Sequence, residues 1–235
     1  MNLSRITYVY LIFLLAIALL VAYGGEEASP VATEAPAADA STTNRAEAAP
    51  AALPSDPKAA IVQAMRAQLT AGPYRTTMTL DGETQASVGT IIPPDRMHVV
   101  MNMGEIKTEM IYIGDKVWSK QGDEAWQESD RMGDPGAGLV DESMIDDMEK
   151  TITEAALVGP QVVDGVDALL YSFTSDLHKS ESMPMDSISQ INLWINTATG
   201  LIIRQEIEDT TMGTPSKTVQ VIEYDASITI EPPVK

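Results

Sequence analysis

The segment LWINTATGLIIR, residues 193–204, holds two apolar runs separated by a short polar turn. Alternating apolar and polar side chains lead into the turn over residues 188–196, and a second run continues after it over residues 201–208. The turn itself, residues 196–200, begins with Asn and ends with Gly, two residues that tight turns favour. The segment therefore predicts two antiparallel strands joined by a hairpin.

Short strands of the same kind are predicted on both sides of this hairpin. Their spans are residues 74–80, 87–92, 96–103, 107–113, 116–120, 161–163, 168–174 and 217–230. Turn pairs separate several of them, namely Asp81-Gly82, Gly114-Asp115, Gly122-Asp123 and Asp164-Gly165. Strands that follow one another through such short turns pair antiparallel, because a parallel crossover needs a dozen or more residues.

Two helices interrupt the strands. The first is predicted to start at Asp56 as N-cap with Pro57 in its first turn, and to end at Gly72-Pro73. The second is predicted over residues 141–156, with an apolar stripe at helical spacing. The order is helix, five or six strands, helix and about five strands. This order indicates an α+β fold, a large curved antiparallel sheet with helices on one face.

The first 25 residues have the pattern of a bacterial lipoprotein signal, except at one position. Arg5 precedes an apolar stretch over residues 6–23, but Tyr23 stands where such signals carry the cysteine that is acylated, and the chain has no cysteine. Two outcomes fit this pattern: cleavage near Tyr23, or an uncut helix that anchors the chain in a membrane. Either outcome predicts an extracytoplasmic protein of the cell envelope.

Residues 26–57 are expected to be a disordered linker, and residues 58–235 a single folded domain. The linker has 11 Ala and 5 Pro and no apolar period, so it cannot bury enough surface to fold. The domain carries 28 acidic and 13 basic residues, a net charge of −15. Such a surface repels phosphate backbones, which excludes nucleic acid as a partner. It is also repelled by anionic membrane surfaces, so the N-terminal segment is the expected contact with the membrane.

Three stretches resemble the LolA/LppX-like (LppX/LprAFG-type) superfamily of envelope lipoprotein carriers. These are residues 112–118 followed by Gly122 and Trp126, residues 163–167 leading to Tyr171, and the hairpin at residues 193–204. The hairpin departs from the superfamily pattern at Asn196, where Asp is usual, and at Ile202, where Pro is usual. The resemblance implies an incomplete β-barrel whose concave face is covered by helices, and a cavity that binds acyl chains or lipoproteins.

Catalysis and metal binding have little support in the residues. The two histidines, His98 and His178, lie in no triad or metal motif, and no phosphate loop or dinucleotide fingerprint is present. The acidic cluster at residues 141–149 lies on a helix whose other face is apolar, which favours a solvated helix face over a calcium site. We expect no enzyme, no cofactor and no metal.

The 13 methionines, against 2 phenylalanines, point to an apolar site between sheet and helices. Methionine is flexible and polarizable, so it suits a surface that accepts variable apolar ligands, but it fills an ordinary core equally well. The predicted cavity residues are Met78, Leu80, Met97, Val99, Met101, Met103, Met110, Tyr112, Met144 and Met148. The function expected is a carrier of lipid or lipoprotein acyl chains. The alternative is a non-enzymatic sensing or interaction module with a solid core, which recognises another envelope protein through an acidic face or a strand edge.

Overall fold

The computed structural model describes residues 52–81, 83–103, 106–130, 141–181, 187–209 and 215–233, and it describes only the backbone of residues 83–87 and 103. The predicted signal and nearly all of the predicted linker lie outside these residues. Among the described helices, none is both long and apolar enough to cross a membrane.

Within these residues, eleven strands form one antiparallel sheet that does not close. In chain order they are β1 (Tyr74–Leu80), β2 (Glu83–Ile92), β3 (Arg96–Met103), β4 (Ile106–Ile113), β5 (Lys116–Gln121), β6 (Gln127–Asp130), β7 (Ile152–Val163), β8 (Val166–Asp176), β9 (Ile188–Asn196), β10 (Ile202–Asp209) and β11 (Ser216–Tyr224). The predicted hairpin is present as β9 and β10, and the α+β class and the curved open sheet are confirmed.

The sheet consists of two meanders that meet in its middle. The strand order is β6-β5-β4-β3-β2-β1-β11-β10-β9-β8-β7, so β1 pairs with β11 and the edges are β6 and β7. Strands β1–β6 form the first meander, which runs from the centre of the sheet to the edge strand β6. Strands β7–β11 form the second meander, which starts at the opposite edge and runs back to the centre. The last strand therefore joins the two halves of the sheet.

Two helices lie against the second meander. Helix α1 (Pro57–Thr70) starts as predicted, because the Asp56 side chain accepts a hydrogen bond of 2.8 Å from the Ala59 amide. Helix α2 (Glu142–Thr151) is capped in the same way by Asp141, which accepts from the Met144 amide at 2.9 Å. The principal contacts of α1 with the sheet are to β7 and β10, and those of α2 are to β8.

The second helix is shorter than predicted. It ends at Thr151, and the chain continues directly into β7, so residues 152–156 are strand and not helix. Ile152 is 4% exposed and lies opposite Ser175 of β8, while the Thr151 hydroxyl contacts the Ser175 hydroxyl at 3.2 Å. Sheet pairing and burial thus outweigh the helical spacing of the apolar residues.

The last strand is also shorter than predicted. β11 ends at Tyr224, and Asp225 then begins a turn in which its carboxylate accepts a hydrogen bond from the Ser227 amide at 2.9 Å. Further on, Ile230 is buried and its carbonyl accepts a hydrogen bond of 2.9 Å from Arg96. Residues 225–230 are therefore held beside the sheet by the Asp225 amide, which donates to the Pro73 carbonyl at 3.0 Å, and by the Arg96 contact with Ile230.

The apolar core has two parts on the concave face. The larger cluster lies between the helices and strands β7–β11, and includes Ile61, Ile145, Leu193 and Ile195, each fully buried. The smaller cluster lies on strands β2–β5. A third group, with Trp194 at its centre, covers part of the convex face, where Arg204 stacks on the indole ring at 5.5 Å.

Candidate apolar binding face

The concave side of the first meander carries a continuous set of apolar side chains, which we call the methionine face. Its members are Ile91, Met97, Val99, Met101, Met110, Tyr112 and Val117. Strand periodicity explains the set, because alternate residues of one strand point to the same side of a sheet.

The register aligns these side chains in rows across the strands. In one row, Tyr224 of β11 and Tyr74 of β1 are followed by Ile91, Met97, Tyr112 and Val117, each directly opposite the next. The neighbouring row contains Ile222, Thr76, Gly89, Val99, Met110 and Ser119. Directly opposed side chains in neighbouring strands pack together, so each row is a line of contacts across the sheet.

The structure brings five of the predicted cavity residues into one cluster. Met97 and Val99 are each 1% exposed and Tyr112 is 3% exposed, while Met101 and Met110 are partly buried beside them. The Tyr112 hydroxyl donates to the Met110 sulfur at 3.3 Å, which ties two members of β4 together. The prediction that these residues line a ligand site remains a prediction, although their shared surface is established.

Three other predicted residues lie at the ends of this surface. Met78 is 8% exposed and Leu80 is partly buried, both on the concave side of β1, opposite Gln220 and Thr218 of β11. Met103 ends β3, opposite Ile106, and its side chain lies outside the described part of the molecule.

The two helical methionines lie elsewhere. Met144 and Met148 are half-buried on α2, whose sheet contacts are mainly to β8 in the second meander. They are not members of the cluster on β2–β5. The two helices therefore cover mainly the second meander, whereas the predicted site assumed that α2 faces the methionines of the sheet.

The seam between the two meanders is formed by two tyrosines. The rings of Tyr74 and Tyr224 are 5.5 Å apart, and Tyr74 packs against both apolar clusters. Burial raises the pKa of Tyr74 to about 12, and burial together with the neighbouring Tyr74 raises the pKa of Tyr224 further. The Tyr224 hydroxyl donates to the Ile202 carbonyl at 3.0 Å and is also hydrogen-bonded to Gln68 of α1.

Helix α2 is held in place at both of its sides. Arg66 of α1 contacts Asp146 at 2.6 Å, Glu142 at 3.4 Å and Glu149 at 3.5 Å, which joins the two helices. These are the acidic residues expected on a solvated face, and they are at least partly exposed.

Asp147 departs from that expectation. It is 8% exposed, and it accepts hydrogen bonds from the Ser180 hydroxyl at 2.6 Å and the Glu181 amide at 2.8 Å. One carboxylate of the cluster is thus buried and anchors α2 to the segment after β8. Among the described residues, no three His, Asp or Glu side chains are grouped as a metal site requires.

Both histidines pair with carboxylates. His98 lies on the convex side of β3, with its Nε2 3.4 Å from Glu109, and His178 lies beside Asp176 at 2.9 Å. Burial opposes ionisation of Glu109, but Lys107 and Lys120, at 2.7 and 3.1 Å, more than offset it and lower the pKa of Glu109 to about 2. His98, Lys107 and Lys120 thus form an ion-pair network around Glu109.

Four residues of the concave face were not among the predicted cavity residues. Ile91, Val117, Tyr74 and Thr76 all face the same side as the methionines. For Ile91 and Val117 the sequence does indicate the inward-facing side, since each alternates with polar or outward-facing neighbours in its strand. For Tyr74 and Thr76 the alternation was present too, since both lie on the same side of the predicted strand as Met78 and Leu80.

Comparison with known proteins identifies the fold alone. No protein-family model and no curated protein matches the chain. Among solved structures, the lipoprotein LppX of Mycobacterium tuberculosis matches with a TM-score of 0.52 at 13% identity, covering 74% of this chain and 97% of its own. LprF of Mycobacterium bovis matches with a TM-score of 0.53 at 14% identity, covering 80% of this chain and 100% of its own. The LppX-like fold that the sequence motifs imply is confirmed.

Proposed function

We propose that this chain, which has the fold of LppX and LprF, is an envelope protein that binds acyl chains on its methionine face. The observation that carries the proposal is the continuity of that face: Met97, Val99, Met101, Met110 and Tyr112 form one apolar surface on the concave side. The principal helix contacts are with the other half of the sheet.

The physical chemistry of such a site is simple. Burying an acyl chain stabilises the complex by about 0.8 kcal/mol per CH₂ group. Loss of ligand and side-chain freedom offsets part of this gain. A chain of long-chain fatty acid length would still retain a dissociation constant in about the micromolar range or below. No covalent step is needed, and methionine side chains adapt to chains of different shape.

The N-terminal sequence gives the proposal its location. An apolar stretch at residues 6–23 and an Ala/Pro-rich stretch at residues 26–57 would hold the domain near a membrane while leaving it free to move over roughly 30 Å. The domain's net charge of −15 supplies no attraction to anionic lipid, so this tether would bring the site to its ligand.

Native mass spectrometry of the protein purified without added lipid, together with uptake of a fluorescent fatty acid, tests the proposal. The matched variants are Met101→Glu on the methionine face and Val100→Glu, the next residue of β3, which points to the convex side. We expect Met101→Glu to lower uptake at least about tenfold and Val100→Glu to leave it within about twofold, since only the first places a charge beside the ligand. A wild-type protein with no bound lipid and no uptake would show the proposal to be wrong.

A second candidate is an interaction module, and one feature of the sheet favours it. The edge strand β7 exposes Leu157, Val158 and Val162, which are 49%, 58% and 68% exposed. Exposed apolar side chains at a sheet edge are a common protein-contact surface. However, Pro160 and two register shifts interrupt the strand, which limits the addition of a further strand.

Photo-crosslinking separates the two candidates. A crosslinker placed at Val162 would capture one stoichiometric envelope protein if β7 is the functional surface, and the same crosslinker at Ser119 would capture lipid if the methionine face is.

A further inference from the structure

One methionine of the methionine face has a hydroxyl group beside its sulfur. Tyr112, two residues after Met110 on β4, is 3% exposed, and its hydroxyl donates to the Met110 sulfur at 3.3 Å. Met110 itself is only partly buried. A thioether sulfur is a weak hydrogen-bond acceptor, so the buried hydroxyl gains little from this contact. The same hydroxyl would gain more from an oxygen bound to that sulfur.

The other described methionine side chains of the first meander lack one of these two properties. Met97 is 1% exposed and Met78 is 8% exposed, so a solute in water has little access to them. Met101 is partly buried like Met110, but within the described residues its sulfur has no hydrogen-bond donor. Among these side chains, Met110 alone combines access from solvent with a donor at the sulfur.

A second hydroxyl lies on the other side of Met110. Ser119 of β5 is directly opposite Met110, and side chains in such a position have Cβ atoms about 4.5 to 5.5 Å apart. The other residues of this row, from β11 to β3, are neutral. An oxygen added to the Met110 sulfur would therefore lie near hydroxyl groups, with no carboxylate in its row to repel it.

The chain offers an oxidant methionine sulfur and no thiol, because it has no cysteine. Hydrogen peroxide oxidises a thioether in one step. A lone pair of the sulfur forms the S–O bond as the O–O bond breaks, sulfur gives up two electrons, and the second oxygen leaves as water with both hydrogens. The domain's net charge of −15 repels anionic oxidants but not this neutral one.

We propose that Met110 is a site of reversible oxidation by peroxide, at which the Tyr112 hydroxyl donates to the sulfoxide oxygen. The reverse step belongs to enzymes of the methionine sulfoxide reductase class. A buried polar atom without a partner destabilises a fold, so the hydroxyl lets the sheet keep its packing after oxidation.

Oxidation at this position would change the character of the methionine face. It places a polar oxygen beside Val99, which lies directly opposite Met110 on β3, in the middle of an apolar surface. A lower affinity for acyl chains follows from this change and rests on the proposed function. The oxidation site itself does not depend on that function.

Graded treatment of the full-length protein with hydrogen peroxide tests the site. Peptide mapping by mass spectrometry gives the sulfoxide fraction at each methionine, and melting curves are recorded before and after treatment. Tyr112→Phe removes only the hydroxyl, and Met110→Leu removes the sulfur with little change in volume. The double variant Tyr112→Phe with Met110→Leu is the matched control, because all other methionines in it are unchanged.

We expect Met110 to be oxidised at doses that leave Met97 reduced. The melting temperature should fall further on oxidation in Tyr112→Phe than in the wild-type protein, by about 3 to 8 °C, the range for one unpaired polar atom in a domain of this size. This extra fall should be absent from the double variant. Treatment with methionine sulfoxide reductases should restore the starting curve of the wild-type protein.

Two results would overturn the site. One is a Met110 that stays reduced at doses that oxidise Met101. The other is an extra fall in melting temperature that is absent from Tyr112→Phe or equally large in the double variant, since the hydroxyl then has no part in holding the sulfoxide.

Uptake of a fluorescent fatty acid measures the effect on binding separately. We expect oxidation to lower uptake at least about threefold in the wild-type protein and less in Met110→Leu. Equal uptake by oxidised and reduced wild-type protein overturns the effect on binding. A reduced wild-type protein that takes up no fatty acid overturns the proposed function and leaves the oxidation site in place.

Discussion

The ring of Tyr74 lies 5.5 Å from the ring of Tyr224 and is tilted by 48° to it, at the point where the first and last strands of the sheet pair. The two side chains are chemically alike but differently bonded. Tyr224 is hydrogen-bonded to the Ile202 carbonyl and to Gln68, whereas Tyr74 has only packing contacts among the described residues. The pair therefore joins the helix-covered half of the sheet to the methionine face.

This difference predicts different costs for the same substitution. Tyr224→Phe should lower the free energy of unfolding by about 1 to 2 kcal/mol, because it leaves the buried Ile202 carbonyl without its donor. Tyr74→Phe should change it by less than about 0.5 kcal/mol. Urea unfolding monitored by circular dichroism measures both. Equal losses in the two variants would contradict the assignment of the hydrogen bonds.

Substitution of Gly89 should be destabilising because of Thr76. The Cβ of Gly89→Ala would lie 2.9 Å from the Thr76 hydroxyl oxygen, and such overpacking costs about 1 to 3 kcal/mol. Gly72→Ala is the control, since a Cβ there meets nothing within 4 Å. The double variant Gly89→Ala with Thr76→Ala should lose less than the sum of the single variants. A strictly additive result would show that the two residues do not interact.

Stability in acid should depend on Glu109. Its pKa is about 2 in the folded protein against an ordinary value of 4.5, so its ion pairs stabilise the fold fully above about pH 4.5, and this contribution is lost as the pH falls through about 2. Its size is about 1 to 3 kcal/mol, reduced by the exposure of Lys107.

The variant Glu109→Gln measures this contribution. Its melting temperature should lie well below that of the wild-type protein at pH 7, and the gap should close between pH 4.5 and 2. Glu128→Gln, at an exposed ion pair with Lys116, serves as the control and should show a small gap. A gap for Glu109→Gln that stays constant down to pH 2 would be inconsistent with the folded pKa.

The buried carboxylate of α2 should govern local opening of the segment after β8. Asp147→Ala removes the acceptor of the Glu181 amide and the Ser180 hydroxyl, which should cost about 1 to 3 kcal/mol and speed hydrogen exchange of the Glu181 amide. Asp146→Ala, one residue earlier and exposed, removes only a contact with Arg66 and should leave that exchange unchanged. Similar exchange rates in the two variants would argue against the anchor.

The local sequence pattern was sufficient to predict a strand or helix where that pattern agreed with the tertiary packing. The spans 74–80, 96–103 and 188–196 were predicted to the residue, because in each the alternation of side chains matches the burial of one face. The start of α1 was likewise readable, since Asp56 and Pro57 determine it without help from the rest of the chain.

The predictions from sequence were wrong where contacts between residues distant in the chain determine the local structure. Residues 152–156 have helical spacing, yet pairing with β8 makes them a strand. Asp147 is a charged residue in an acidic stretch, which is typical of a protein surface, yet the segment after β8 that contains Ser180 covers it. The position of Thr76 opposite Gly89 and beside β11 depends on the pairing of three strands, which the local sequence pattern does not reveal.

The central position of the β1–β11 pair also sets the order in which the protein can form. Strand β1 has β2 as its only neighbour in the sheet until β11, the last of the described strands, has been made and reaches it. During synthesis, the first meander would therefore present an open inner edge beside its apolar face, which is the kind of surface that chaperones recognise and that aggregates form on. Contacts so distant in sequence also make folding slow. The arrangement that places a seam beside the proposed ligand site thus makes the newly made chain dependent on protection until its final strand arrives.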